Sequence, residues 1–407
     1  MPVGWMDLRR KLFWVSVLYF AEGFPFGIAI DNLPVYFRLH GVSLTEIGLM
    51  SLLGAPWTLK VLWAPLVDRF GTRQQWFVSC LAILALVMVT LPLFNPSAPT
   101  MWLWVLLMLL TTASATQDIA IDAYTIGLLA PGEEGIANGV RVSAYRIALV
   151  ASGGGLVIVA GRLGWSASFL LGAVILAGVA VLARHSPAVH VPPADPQQNW
   201  FTPLLRWLQR PGAPIVFLFV LTYKLGESSM GPMIKPFWVD RGLTVEEIGL
   251  ISTTLGVGAS IVGALAGGGL TTRWGIFRAL WILGLIQASA HLGYTAVAYF
   301  DLGRPGIYAA SLCESFGAGL ATAAFLAFLM HVCDKRRAAT EYALLSAIFG
   351  FTRSLAGAFS GWGTTHLGYA AYFGVTFLLA LPAFALLPWV KPWAETVART
   401  APEQRAG

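Results

Sequence analysis

The sequence predicts an all-α membrane protein of twelve transmembrane helices in two similar six-helix bundles. Three observations predict it. The first is composition: 57% of the 407 residues are apolar and only 11% are charged, whereas a soluble domain is nearer a quarter charged. The second is division of the chain into apolar stretches long enough to cross hydrocarbon, which takes about 20 residues of helix. The third is that the second half repeats the first.

In order, the stretches run over residues 12–35, 46–66, 75–94, 101–129, 136–160, 164–183, 213–236, 247–270, 277–299, 305–331, 338–361 and 367–390. The basic patch Arg9-Arg10-Lys11 precedes the first. That stretch continues past Glu22 with no small-residue cleavage site, so it reads as a retained span rather than a signal peptide. Turn formers such as Phe70-Gly71-Thr72, Asn95-Pro96-Ser97, Pro131-Gly132 and Asp334 to Arg337 separate the stretches. Residues 184–212, rich in Pro, Gln and Arg, are the one long polar interval and read as a linker. The expected organisation is an N-terminal bundle over 1–183, a cytoplasmic linker over 184–212, a C-terminal bundle over 213–393 and a cytoplasmic tail over 394–407.

Placement of charge orients the chain. With the N-terminus in the cytoplasm, the inner segments hold sixteen Lys or Arg, among them Arg69, Arg73, Arg184, Arg273 and Lys335. The outer loops hold four: Arg38, Arg162, Arg241 and Arg304. This excess is the positive-inside signature, so both termini are expected in the cytoplasm. Cys80, Cys313 and Cys333 have neither metal-ligand nor disulfide spacing and read as packing residues.

The repeat is visible in short copies. Gly41-Val-Ser-Leu-Thr-Glu46-Ile-Gly-Leu-Met-Ser51 is echoed by Gly242-Leu-Thr-Val-Glu-Glu247-Ile-Gly-Leu-Ile-Ser252, and Leu163-Gly-Trp165 by Leu367-Gly-Tyr369. The offsets are 201 and 204 residues, one six-span half. Parallel repeats of this kind mark transporters with a site between halves near the midplane. Between the second and third spans stands Ala64-Pro-Leu-Val-Asp68-Arg69-Phe-Gly71-Thr-Arg73. It resembles the cytoplasmic signature loop of the major facilitator superfamily, which implies the major facilitator fold. Gly71 permits the tight turn, and Asp68 can accept from the N-terminal amides of a neighbouring helix.

The fourth and fifth spans carry the densest charge. Asp118 and Asp122 lie four apart on one helix face. Counted from the Pro131-Gly132-Glu133-Glu134 turn, Asp122 falls level with Arg141 and Asp118 with Arg146. Charge inside a span is costly and is kept where it meets a partner or a water-filled path. The pattern points to a machine that passes something polar through lipid. Asp118, Asp122 and Arg141, with Asp68 and Arg69 or Arg73, read as an inner gate; direct contact with the passing solute is the competing reading.

Glu22 and Glu314 lie near mid-membrane with no cation close in sequence, and Lys224 and Glu227 lie three apart on one face of the seventh span. Glu22, Glu314 and Glu227 are therefore candidate proton-coupling residues. The plain alternatives are a protonated carboxyl bonded to a neighbouring helix and, for Lys224 with Glu227, a structural ion pair. Arg146 and Arg353 are candidate anion contacts, since guanidinium holds carboxylate or phosphate in bidentate fashion; Lys224 joins them. Gln287 and His291 share a face of the ninth span and read as a satisfied polar pair; His331 reads as interfacial. Trp5, Trp76, Trp165, Trp200, Trp389 and Trp393 mark span ends. Tyr145, Tyr223 and Phe24 lie deeper and are candidate contacts for a sugar or ring, with packing as the alternative.

No phosphate loop, nucleophile elbow, metal-spaced cluster or nucleic-acid module appears. Neither an enzyme, a cofactor, a metal nor a nucleic-acid partner is expected. The expected partners of this monomer are a small-molecule solute, protons and the lipid bilayer. A static scaffold would need neither buried carboxyls nor an inner gate.

Longer segments carry a closer likeness. Tyr19-Phe-Ala-Glu-Gly-Phe-Pro-Phe-Gly27, Trp57-Thr-Leu-Lys60, Ala115-Thr-Gln-Asp-Ile-Ala-Ile-Asp-Ala-Tyr124, Asn138-Gly-Val-Arg141 through Arg146, Gly319 to Met330 and Thr340 to Ser346 resemble the AmpG muropeptide permease family. The resemblance covers most of both halves. It implies a multi-pass importer of the bacterial inner membrane that takes up anhydromuramyl peptides from cell-wall turnover, with protons, by alternating access. Acetyl-CoA transporters and some siderophore permeases share parts of these patterns. The alternative cargo is therefore another anionic solute of those kinds.

Overall fold

Turn chemistry sets where the helices stop. Thr72 caps the helix Arg73–Thr90, taking the Gln75 amide on its hydroxyl while the Gln75 side chain takes the Thr72 amide. Gly71 and Gly275 have φ of 66° and 80°, and Gly164 and Gly368 have φ of 88° and 72°. A side chain resists these angles, and the members of each pair stand 204 residues apart. The repeat is therefore a repeat of backbone turns as well as of letters. Gly368, non-helical at φ 72° and ψ 162°, divides Ala338–Glu395 into two helices, the eleventh and twelfth stretches.

The computed structural model describes residues 7–40, 42, 53–97, 100–189, 207–244, 247–248 and 250–395. Most of the repeat copy at 41–51, linker residues 190–206 and tail residues 396–407 lie outside the described residues. Among the described residues there is no strand. Eight helical runs among the described residues are long and apolar enough to cross a membrane: Leu8–Phe37, Arg73–Leu93, Met101–Leu128, Glu134–Leu163, Trp165–Ala183, Ile276–Phe300, Gly303–His331 and Phe359–Glu395.

The second and seventh stretches are interrupted instead. The second is built of Ala55–Leu59, a tight 3₁₀ turn Lys60–Leu62, and Ala64–Arg69. Pro56 and Pro65 each sit at the start of one of these short helices, where proline is tolerated and where it also ends what precedes it. The seventh breaks at Lys224 (φ −104°, ψ 10°) between Ala213–Tyr223 and Leu225–Asp240. Irregular backbone at membrane depth must be satisfied within the protein. At this break the Ser228 amide reaches the Lys224 carbonyl at 2.9 Å. Three further segments widen to π-helix: Ile28–Asn32, Val150–Gly155 and Leu250–Leu255.

The chain forms two compact units. One contains Met1–Leu128, Ala144–Trp200 and Lys335–Ala343; the other contains Leu129–Ser143, Phe201–Asp334 and Leu344–Gly407. Each unit thus takes a short piece from the opposite sequence half. Trp14, Phe24, Phe77, Leu107 and Phe169 are buried in the first unit, and Met230, Phe237, Tyr294 and Phe373 in the second. Large apolar side chains such as Leu86, Val174, Val262 and Trp362 are exposed on the helices.

Candidate functional site

In the first unit the charges of three helices converge. Glu22, Lys60, Asp118 and Asp122 are 7%, 5%, 8% and 2% exposed, so all four are inside the protein. The carboxylates of Glu22, Asp118 and Asp122 come within 4.8 Å of one another. The four-residue spacing of Asp118 and Asp122 places both on one face of Met101–Leu128. Lys60 enters from the 3₁₀ turn and its ammonium pairs with Asp118. Trp63 Nε1 donates to Thr116 Oγ1 at 3.1 Å and so fixes that turn against the same helix. Tyr19, one turn before Glu22, donates its hydroxyl to Asp122 at 2.8 Å. Gly23 lets the first helix lie against the fifth stretch, since a Cβ there would stand 2.8 Å from the Tyr145 carbonyl.

Glu22 is therefore not the isolated carboxyl that its sequence neighbourhood suggests. It belongs to a three-carboxylate cluster, and Lys60 is within electrostatic reach of it and of Asp122. Such a cluster can take up and give back a proton, or share one cation among its oxygens. The sequence places Tyr19 among the deep aromatics that could meet a sugar or ring; what it does not show is the bond of Tyr19 to Asp122 and the Lys60–Asp118 pairing. Tyr19 stands three residues from Glu22, a spacing that puts both on one helix face, whereas 58 residues separate Lys60 from Asp118.

The signature loop lies in the same unit. The Asp68 carboxylate accepts from the Thr340 amide at 2.9 Å, the Thr340 hydroxyl at 2.8 Å and the Ala339 amide at 3.2 Å. These donors open the helix Ala338–Glu395, where a negative charge also meets the positive end of the helix dipole. Arg73 lies 3.5 Å from Asp68 and donates to the carbonyls of Ala123 and Lys335, each at 2.8 Å. Asp68→Asn replaces a charged acceptor by an amide that can present a donor to donors. It is expected to destabilise the folded protein by about 1–3 kcal/mol, read as a lowered thermal midpoint in detergent; an unchanged midpoint would show that Asp68 does not cap this helix.

The second unit holds its own buried charge. Lys224 is 2% exposed. Its ammonium donates to Glu227 Oε2 at 2.6 Å, Thr322 Oγ1 at 2.8 Å and Gln287 Oε1 at 3.0 Å. The Gln287 amide nitrogen donates to the same Glu227 oxygen. Gln287 and His291 are therefore not a pair with each other. Gln287 joins the ion pair, while His291 Nδ1 lies 3.4 Å from Thr376 Oγ1. The Tyr223 ring stacks on Phe325 at 5.1 Å between centroids.

The remaining predicted residues scatter. Glu314 is half-buried, 3.5 Å from the Ser315 hydroxyl, and bears electrostatically on Tyr294. Arg353 is exposed, Arg146 and Tyr145 are half-buried, and Phe24 is fully buried among apolar side chains. Tyr145 meets Phe26 at 6.0 Å. Arg69 is half-buried in the first unit and Arg141 buried in the second. His331 lies 3.5 Å from Glu134.

Comparison with known proteins gives a consistent set of likenesses. The profile of the Major Facilitator Superfamily matches residues 15–223 and 216–406. The chain is 32% identical over 381 residues to the anhydromuropeptide permease of Escherichia coli (strain K12), covering 91% of this chain and 78% of that protein. It is 27% identical over 401 residues to putative transporter AmpG 4 of Rickettsia felis, covering 93% and 96%. The solved structure of the E. coli fucose:proton symporter matches with a TM-score of 0.74 at 13% identity, covering 96% of this chain and all of that one, a likeness of fold alone.

Proposed function

Because this chain belongs to the Major Facilitator Superfamily and is a transporter rather than an enzyme, we propose that it imports anhydromuropeptides through the bacterial inner membrane together with protons. The observation that carries this reading is the buried cluster of Glu22, Asp118, Asp122 and Lys60, in a chain 32% identical to a permease for that cargo. A machine that only scaffolds has no use for three carboxyls within 4.8 Å of one another inside a span.

In this reading Glu22 and its two acidic neighbours take a proton from the outer side and release it to the cytoplasm. Arg146, Arg353 and Lys224 meet the carboxylates of the cargo, and Tyr145 faces its sugar, while Tyr223, stacked on Phe325 and bonded to the Leu280 carbonyl, stays within the packing. Phe24 stays within the packing of the first helix. Asp68, Arg69, Arg73, Asp118, Asp122 and Arg141 form the inner gate. Both termini lie in the cytoplasm, and the protein works as a monomer. Glu227 and Glu314 are further proton-coupling candidates.

The test is uptake by vesicles reconstituted with the protein and given an acid exterior. Wild-type protein is expected to concentrate labelled anhydromuropeptide and not a labelled siderophore. Glu22→Gln is expected to reduce uphill uptake about a hundredfold, in line with the worth of a positioned acid–base group, while exchange of cargo without a gradient persists. Concentrative uptake that survives in both Glu22→Gln and Glu314→Gln would remove the proton-carrier role; transport of the siderophore instead would remove the cargo.

A further inference from the structure

Each unit buries one ammonium where a helix is interrupted: Lys60 at the 3₁₀ turn and Lys224 at the break between Tyr223 and Leu225. Interrupted helices at mid-membrane are where transporters bind what they move. The surroundings of the two differ. Lys60 and Asp118 are both closed off, at 6% and 11% side-chain exposure. Lys224 is 2% exposed, yet its partner Glu227 is 30% exposed. The second pair thus has a hidden cation and an accessible carboxylate.

We propose that Lys224 and Glu227 are an exchangeable ion pair: a carboxylate of the cargo replaces Glu227 at the Lys224 ammonium, and Glu227 takes up a proton as it leaves. This deepens the import reading and rests on it, since the cargo must be an anion. The proton comes from the aqueous phase. One O–H bond forms on the Glu227 carboxylate as one breaks on hydronium, which leaves as water, and the charge at the site is the same before and after.

The physical reason is the cost of a buried charge without its counter-ion. Glu227 meets Lys224 as a charged acceptor, whereas Gln287 and Thr322 are neutral ones. Protonating Glu227 with no anion to replace it strips a buried ammonium of this carboxylate, which is strongly unfavourable. Adding an anion with Glu227 still ionised sets two negative charges against one positive. Proton and anion are each favoured only with the other, and that condition is what coupling means.

Gln287 is the positioning residue. Its carbonyl oxygen accepts from Lys224 and its nitrogen donates to Glu227, so one amide orients both partners. The other titratable groups that bear on Glu227 are Tyr223 from its own segment and His291 from Ile276–Phe300. Gly303–His331 contributes the neutral Thr322, and Ala338–Glu395 contributes Thr376 against His291.

Binding measured in weakly buffered detergent solution tests this, with full-length protein, anhydromuropeptide and its carboxyl-amidated form. Wild type is expected to bind the acid form about tenfold more weakly for each unit rise in pH and to take up about one proton per cargo. The amidated form is expected to bind weakly and without proton uptake. Glu227→Gln is expected to bind the acid form with neither pH dependence nor proton uptake, and Lys224→Met to lose the preference for the acid form. Gln287→Leu keeps both charges and is expected to displace the pH profile without abolishing it, an effect mere support of the fold would not give. The double variant Lys224→Met with Glu227→Gln, neutral throughout, is expected to fold and to bind the amidated form, which separates lost coupling from lost structure. Unchanged proton uptake by Glu227→Gln overturns the exchange and leaves import standing. Failure of wild type to bind either form overturns the cargo, and the exchange with it.

Discussion

Lys60→Met is expected to lower the stability of the folded protein by about 3–5 kcal/mol, the cost of breaking a buried ion pair on one side only, and to stop uptake. The reason lies in what remains. Asp118 keeps its place on the helix face beside Asp122 and Glu22, with oxygens inside 4.8 Å, after the ammonium that pairs with it has gone. Methionine fills a similar volume, so a cavity is not the cause. The companion Lys60→Met with Asp118→Asn removes both charges and is expected to recover most of the thermal stability while uptake stays lost. Thermal unfolding in detergent and vesicle uptake, measured on the same preparations, separate the two effects. A single variant as stable as wild type would show that the pair contributes nothing to holding the cluster.

That contrast bears on what the sequence makes legible. Span length, the inner excess of Lys and Arg, and the 201- and 204-residue offsets identify the fold because each is a property of one segment or of a simple comparison between two. The pair of positive-φ glycines Gly71 and Gly275 is an instance: the letters recur and the backbone angle recurs with them. Asp118 and Asp122 are legible as one face because helical spacing fixes it. Lys60 against Asp118 is not legible in this way, because 58 residues separate them and the turn that aims Lys60 arises from Pro56 and Pro65. The same holds for Gln287, whose spacing to His291 suggests a pair while its partners come from the seventh stretch.

The halves are also less alike in chemistry than in backbone. At the 204-residue offset Tyr19 corresponds to Tyr223 and Asp118 to Thr322. Tyr19 donates to a carboxylate, Asp122, whereas Tyr223 donates to the Leu280 carbonyl. An ammonium meets the position in each half, Lys60 at Asp118 and Lys224 at Thr322, yet the lysines come from the second and the seventh stretches. One scaffold has thus received two charge sites by different routes, one closed and rich in carboxylates, the other partly open. That division suits a proton store on one side and an anion contact on the other.

Gly268→Val is expected to cut uptake at least tenfold, because it wedges apart a crossing made of backbone. In the second unit Leu129–Ser143 lies on Gly256–Trp274 with almost no side chains between. A Cβ on Gly268 would stand 2.6 Å from the Gly135 carbonyl and 2.8 Å from Gly139 Cα, and one on Gly139 would stand 2.7 Å from the Ala264 carbonyl. Backbone cannot rotate away as a side chain can, so overpacking here is expected to cost about 1–3 kcal/mol. The Ile136 amide, which donates to Thr272 Oγ1 at 2.8 Å, is drawn off with it. If the crossing opens and closes in each transport cycle, a bond across it must arrest the cycle. Gly135→Cys with Thr272→Cys places two thiols at such a point, since a Cβ on Gly135 would lie 2.6 Å from the Thr272 hydroxyl. Oxidation is expected to block uptake and reductant to restore it. Full uptake by protein shown to be cross-linked would mean that the segment stays docked throughout, and that the motion admitting the cargo lies elsewhere.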